Sequence, residues 1–118
     1  MKKTGSSKSL QAKGKKPKAM SRDECKKRLS QLSKGIAHPA RVEIMRMIAH
    51  KPPDCRCMCG KIVEALPLAQ SSVSQHLKIL KETGWITAEP RGTSMCYCLV
   101  DGIFDLFKNL MDKVIIYN

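Results

Sequence analysis

Six cysteines stand in a chain of 118 residues, and five of them fall into two tight runs. Cys55-Arg56-Cys57-Met58-Cys59 reads C-x-C-x-C, and Cys96-Tyr97-Cys98 reads C-x-C. On an extended strand alternate side chains share a face. That period puts Cys96 and Cys98 on one face, and Cys55, Cys57 and Cys59 likewise if their run is a short strand. Thiolates are soft donors and select soft ions. Three sulfurs suit trivalent arsenic or antimony, held as a three-coordinate pyramid with a lone pair. Four sulfurs suit zinc or cadmium in a tetrahedron. Neighbouring thiols could instead oxidise to a disulfide or polysulfide, provided one is activated as thiolate, and Arg56 could lower such a pKa. A redox switch needs only two cysteines, so the surplus favours ion binding. Free cysteines also pack as small hydrophobes, but two C-x-C runs in a chain with three His are hard to assign to packing alone.

The remaining ligand types are sparse. Residues 101–117 contain no His, and their carboxylates are Asp101, Asp105 and Asp112, so a hard-donor site there is not expected. His38, before Pro39, is expected at a helix end or interface. His50 is expected at a helix C-terminus, where a charged ring meets the dipole favourably. Cys25 falls on an apolar helical stripe and reads as core or dimer interface. A cysteine nucleophile needs a positioned His, and none is near the cysteines in sequence. No phosphate loop, dinucleotide fingerprint or GxSxG is present. Catalysis is therefore not expected, and no cofactor is required.

Composition narrows the class further. Lys and Arg number 22 against 10 Asp and Glu, a net charge of +12. Seven of those charges are lysines within the first 18 residues, which hold no acid, leaving +5 on the other hundred. Residues 1–19 thus read as a basic tail, too polar to order itself, that either keeps the protein soluble or touches nucleic-acid phosphate. Residues 20–118 read as one domain. No apolar run reaches the roughly 18 to 20 residues of a membrane span, and no apolar stretch follows the N-terminal charges as in a secretory signal. A reducing, cytoplasmic location is expected, where cysteines are thiols or ligands and not a disulfide frame.

The elements that must position these residues follow from periodicity. Cys25, Leu29, Leu32 and Ile36 form one stripe of a helix from Ser21, a plausible N-cap, to Ala37. Pro39 suits the first turn of a second helix, with Ile44, Met45, Ile48 and Ala49 as its buried face. Gly60 to Leu66 reads as a short helix ended by Pro67. Ser71 to Thr83 is a helix with Val73, Leu77 and Leu80 inward, and Gly84 stands where a C-terminal cap belongs. The period then changes to two. Trp85 to Glu89 and Met95 to Val100 read as strands joined by a turn at Pro90 to Ser94. Phe104, Phe107, Met111 and Val114 mark a last amphipathic helix.

Helix, turn, helix, then hairpin is the order of a winged helix-turn-helix, mainly α with one small β-hairpin. The second helix of that unit enters the major groove. Opposite its apolar stripe stand Gln70, Ser71, Ser72, Ser74, Gln75 and Lys78, with His76 beside them. These are short polar groups for base edges and a cation for phosphate. Arg91 lies at the hairpin tip, within reach of backbone or minor groove. Double-stranded operator DNA is the expected partner.

The stretch His38-Pro39-Ala40-Arg41, then Leu68-Ala69-Gln70-Ser71-Ser72-Val73-Ser74-Gln75-His76-Leu77-Lys78-Ile79-Leu80-Lys81, then Gly84 and the hairpin, resembles the ArsR family of metal- and metalloid-responsive repressors. The resemblance covers about residues 21–115. It implies a homodimer built from the first and last helices, a near-palindromic operator, and release from DNA when an inducer ion binds. In winged helices the segment before the short helix commonly pairs with the second wing strand. That would bring Cys57 or its neighbours across from Cys96 and Cys98, about 5 Å away. Some family sensors carry Cys-Val-Cys at the start of the helix before the turn. Counted back from Leu66, Cys57 and Cys59 are one residue out of register with that pair, which favours a trio using the wing strand. The ligand set expected is Cys57, Cys96 and Cys98, with Cys55 and Cys59 competing. The inducer expected is As(III) or Sb(III). Cd(II) or Zn(II), a redox switch on the same fold, or a structural zinc module are the alternatives.

Overall fold

Ser21 starts the first helix. Its hydroxyl accepts from the Glu24 N–H at 3.1 Å, and the Glu24 carboxylate accepts from the Ser21 N–H at 2.8 Å. This reciprocal capping box satisfies two otherwise orphaned donors and opens α1 (Arg22–Gly35). The chain is seen here in a computed structural model, which describes residues 19–50 and 59–117. His38 caps α2 (Pro39–Ala49), its Nδ1 accepting from the Ala40 N–H at 3.0 Å, with Pro39 in the first turn. There follow α3 (Cys59–Ala65), α4 (Gln70–Thr83), β1 (Ile86–Arg91), β2 (Ser94–Leu99) and α5 (Ile103–Met111). A π-helical turn, Asp112–Ile116, continues α5.

Gly84 ends α4 as its position predicts. It takes φ 99°, a left-handed conformation that costs glycine nothing. The Trp85 N–H then reaches the Leu80 carbonyl at 3.0 Å and the Gly84 N–H reaches that of Lys81 at 3.2 Å, closing the helix end in Schellman fashion. The chain emerges directly into the hairpin.

The core is aliphatic, as the low aromatic content requires. Leu32, Ile44, Ile48, Ile62, Val73, Leu77, Leu80, Ile86, Ile103 and Leu110 are buried together, around Trp85. Trp85 is 1% exposed, and its Nε1 donates to the Leu32 carbonyl at 2.7 Å. Phe107 and Phe104 flank its ring at 5.2 and 5.8 Å, tilted as aromatic quadrupoles favour. The indole thereby joins α1, the start of the hairpin and α5.

The two strands pair antiparallel, with Ile86 opposite Leu99, Thr87 opposite Cys98, Ala88 opposite Tyr97 and Glu89 opposite Cys96. The turn is the two residues Gly92 and Thr93, tighter than the five expected, so the strands run on through Pro90 and Arg91. Beside such a turn, bonded and non-bonded pairs alternate. Pro90 faces Met95 at the first non-bonded pair, where its missing N–H costs no ladder bond.

Three other expectations change. Ala49 is exposed, so the inner face of α2 is Ile44, Met45 and Ile48. In α5 the packed side is Ile103, Leu106, Phe107 and Leu110, whereas Phe104 is 47% and Met111 37% exposed. The expected stripe is rotated because Ile103, the first helical residue, is drawn into the core after Gly102 at φ 71°. Cys59 belongs to the first turn of α3, so a period-two run through Cys55, Cys57 and Cys59 cannot include it. The seven-residue helix is anchored by Ile62, fully buried, with Val63 packed beside it.

Candidate nucleic-acid interface and thiol site

The outer face of α4 is built by subtraction. Val73, Leu77, Leu80 and Thr83 take the inward positions. Gln70, Ser71, Ser72, Ser74, Gln75 and Lys78 are then all exposed. No side chain caps the helix N-terminus at Ala69, so its positive end is left for an anion. The shorter α3 packs against α4 and braces it. Arg91 is exposed at the last position of β1, beside the turn.

His76 differs from the expectation. It lies on the flank of α4 that faces α2 and is only partly exposed. Its Nδ1 is 3.2 Å from Arg41 Nη1, and its ring centre is 4.6 Å from that of His38. Burial, first, and then the nearby His38 and Arg41 charges hold its pKa below the ordinary histidine value. The imidazole thus stands at the border of the face expected to meet DNA, leaning on Arg41. Arg41 itself was missed. One signal was available: it is a cation in the first turn of α2, where the helix dipole disfavours positive charge. A residue so placed needs acceptors from elsewhere. It has them in the Gly35 carbonyl at 2.6 Å and the Lys34 carbonyl at 3.2 Å.

The thiols of β2 fall as the period of two requires. Cys96 Sγ and Cys98 Sγ are 3.8 Å apart on one face, and neither is in a disulfide. Cys96 is 1% exposed yet does not belong to the contiguous core. Thr87 and Glu89 lie directly across on β1. The expected partners Cys55 and Cys57, and any strand they form, lie outside the described residues, as does the side chain of Cys59. Among the described residues no three His, Cys, Asp or Glu converge as metal ligands. Cys25 is buried on α1, within the core as expected, beside a cavity of about 370 Å³ shared with Leu106, Leu110 and Tyr117. Among the described residues no helix is long and apolar enough to cross a membrane.

A recognition helix with a polar outer face, a bracing helix and a basic-tipped hairpin define a winged helix-turn-helix DNA-binding regulator. Residues 38–88 match the model described as "Bacterial regulatory protein, arsR family". The chain is 31% identical over 85 residues to an uncharacterized HTH-type transcriptional regulator of Methanocaldococcus jannaschii, spanning 72% of this chain and 92% of that relative. It is 35% identical over 80 residues to the arsenical resistance operon repressor of Bacillus subtilis, spanning 68% and 73%. A solved homodimeric winged helix-turn-helix DNA-binding domain from Mycobacterium bovis superposes with a TM-score of 0.59 at 20% identity, over 71% of this chain and 72% of that one. The protein belongs to the ArsR family, and it is a transcription regulator, not an enzyme.

Proposed function

We propose that this regulator is a homodimeric repressor that thiophilic ions release from its operator. The outer face of α4 reads the major groove, and Arg91 at the hairpin tip contacts backbone or minor groove. The observation that carries the sensing half is the Cys96–Cys98 sulfur pair at 3.8 Å on the wing strand itself. An ion held there bears directly on a DNA-reading element. A third thiol from Cys57, or from Cys55 or Cys59, completes a three-sulfur site for As(III) or Sb(III). The Bacillus subtilis relative, an arsenical resistance operon repressor by name, supports that choice. A coupling of about 1 to 3 kcal/mol between ion and DNA is typical of such regulation.

One number favours a second reading. A tetrahedral site with metal–sulfur bonds of about 2.3 Å has a sulfur–sulfur edge of about 3.8 Å. The observed separation of 3.8 Å therefore suits Zn(II) with a fourth donor. Dimerisation through the first and last helices is supported by apolar surface that one copy leaves open. Phe104, Met111, Ile115 and Ile116 of the last helical segment, Tyr117 just after it and Met20 before α1 are all exposed. The Mycobacterium bovis domain is itself described as homodimeric.

The test is a DNA-release titration of reduced protein on its own promoter with arsenite, antimonite, cadmium, zinc and a polysulfide donor, each alone. Micromolar release by arsenite or antimonite, lost in Cys96→Ser and Cys98→Ser, supports the metalloid reading. Release by cadmium or zinc alone selects the tetrahedral reading. Release by polysulfide alone, reversed by reductant, makes the pair a redox switch. Undiminished induction in both serine variants sinks the wing-strand site.

A further inference from the structure

Arg41 makes contacts that the reading of the operator does not absorb. Its Nε donates to the Gly35 carbonyl at 2.6 Å and its Nη2 to the Lys34 carbonyl at 3.2 Å, both at the C-terminal end of α1. A helix end leaves such carbonyls without intrahelical partners, and that of Lys34 also accepts from the Ala37 N–H at 3.4 Å. The third arm, Nη1, lies 3.2 Å from His76 Nδ1 on α4. An arginine in a protein keeps its protons and can only donate. His76 Nδ1 must therefore be the acceptor, and the neutral ring carries its proton on Nε2.

We infer that Arg41 is a positioning residue for the recognition helix, tying α4 to the end of α1 through neutral, Nε2-protonated His76. The planar guanidinium spans three elements with one rigid fork, which a lysine's single ammonium cannot do. Because α1 is one of the two helices assigned above to dimerisation, this fork also sets where α4 stands relative to the partner half-site. This last step rests on the dimer reading; the clamp itself does not.

The clamp has a built-in proton dependence. Protonated His76 has a donor at Nδ1 and loses the Arg41 bond. Among the described residues, the charges that lower the His76 pKa come from His38 and Arg41 at the start of α2. The Arg41 guanidinium keeps its charge throughout and disfavours a second cation beside it. The His76 pKa is lowered in the folded protein. Its contribution is therefore complete above the ordinary histidine pKa of about 6.5 and is lost as pH falls through the lower folded value. A solvated histidine on the groove face does the opposite, since its protonation adds a cation next to phosphate and tightens binding.

The experiment uses the full chain and has two readouts. Long-range proton–nitrogen NMR reads the His76 tautomer directly, without DNA. Fluorescence anisotropy reads operator affinity between pH 5 and 8 for wild type, Arg41→Lys, His76→Asn and His76→Gln. The Asn carboxamide oxygen stands near the place of Nδ1 and keeps an acceptor for Arg41, whereas the Gln amide reaches the Nε2 place instead. We expect the Nε2–H tautomer, affinity reduced about tenfold in Arg41→Lys and His76→Gln, and near-wild-type affinity in His76→Asn. The wild-type fall in affinity below pH 6.5 should be absent from His76→Asn. The Nδ1–H tautomer, or tightening of wild-type binding at low pH, overturns the inference. Equal affinity of all four proteins overturns it as well. A wild type that is monomeric yet keeps the Nε2–H tautomer would refute the dimer reading and leave the clamp standing.

Discussion

Replacing Gly35 by alanine tests the joint that sets α1 against the hairpin. A Cβ built at Gly35 overlaps Thr83 Oγ1 and lies 2.6 Å from Trp85 Cδ1 and 2.8 Å from Trp85 Nε1. Real Cβ atoms do not approach so closely, so the indole must move. Trp85 is fully buried and bonded to the Leu32 carbonyl at 2.7 Å, and it has nowhere to go without disturbing Phe107. Overpacking of this kind costs about 1 to 3 kcal/mol. A displaced indole N–H adds about 1 to 3 kcal/mol for an unsatisfied buried donor. Alanine in a helical position returns up to about 1 kcal/mol. The net expectation is a loss of about 1 to 5 kcal/mol. Trp85 is the single tryptophan, so its fluorescence through a urea titration at fixed protein concentration reports the joint itself. A loss below about 0.5 kcal/mol, with unchanged emission, would refute the packing argument.

Substitutions at three further positions address the helix end and the interface. Ser21→Ala removes the cap of α1 and should cost about 1 kcal/mol, read as a lower thermal midpoint, while Ser21→Gly should cost only a few tenths. On the DNA side, Arg91→Ala should weaken binding to all sequences alike and reduce the salt slope of log Kd by about 1, whereas Gln75→Ala should cost about 1 to 3 kcal/mol at one base position and relax specificity there. Equal salt slopes for wild type and Arg91→Ala would take Arg91 off the phosphate backbone.

Much of the scaffold was legible because it is written locally. The Ser21 cap, the Pro39 start, the stop at Pro67 and the left-handed Gly84 each depend on a few neighbouring residues. The Val73, Leu77 and Leu80 stripe fixes which side of α4 is inward, and so which polar residues are left for DNA. Alternation alone put Cys96 and Cys98 on one face. By itself, the sequence determined a winged helix-turn-helix with a polar recognition face and paired thiols.

The tertiary structure decided what depends on contacts between distant residues. No local pattern says that the Trp85 indole bonds a carbonyl 53 positions earlier, and hence that position 35 has no room for a Cβ. The inner side of α5 was set by where Ile103 meets the core, because two apolar stripes on one helix compete and only packing chooses. His76 lies on the border of the α4 stripe, where a helical wheel cannot tell an exposed ring from one that leans inward. Its neighbour Arg41, 35 residues away in sequence, settles the matter. The guanidinium needs acceptors, and the folded chain offers them at the end of α1 and on His76.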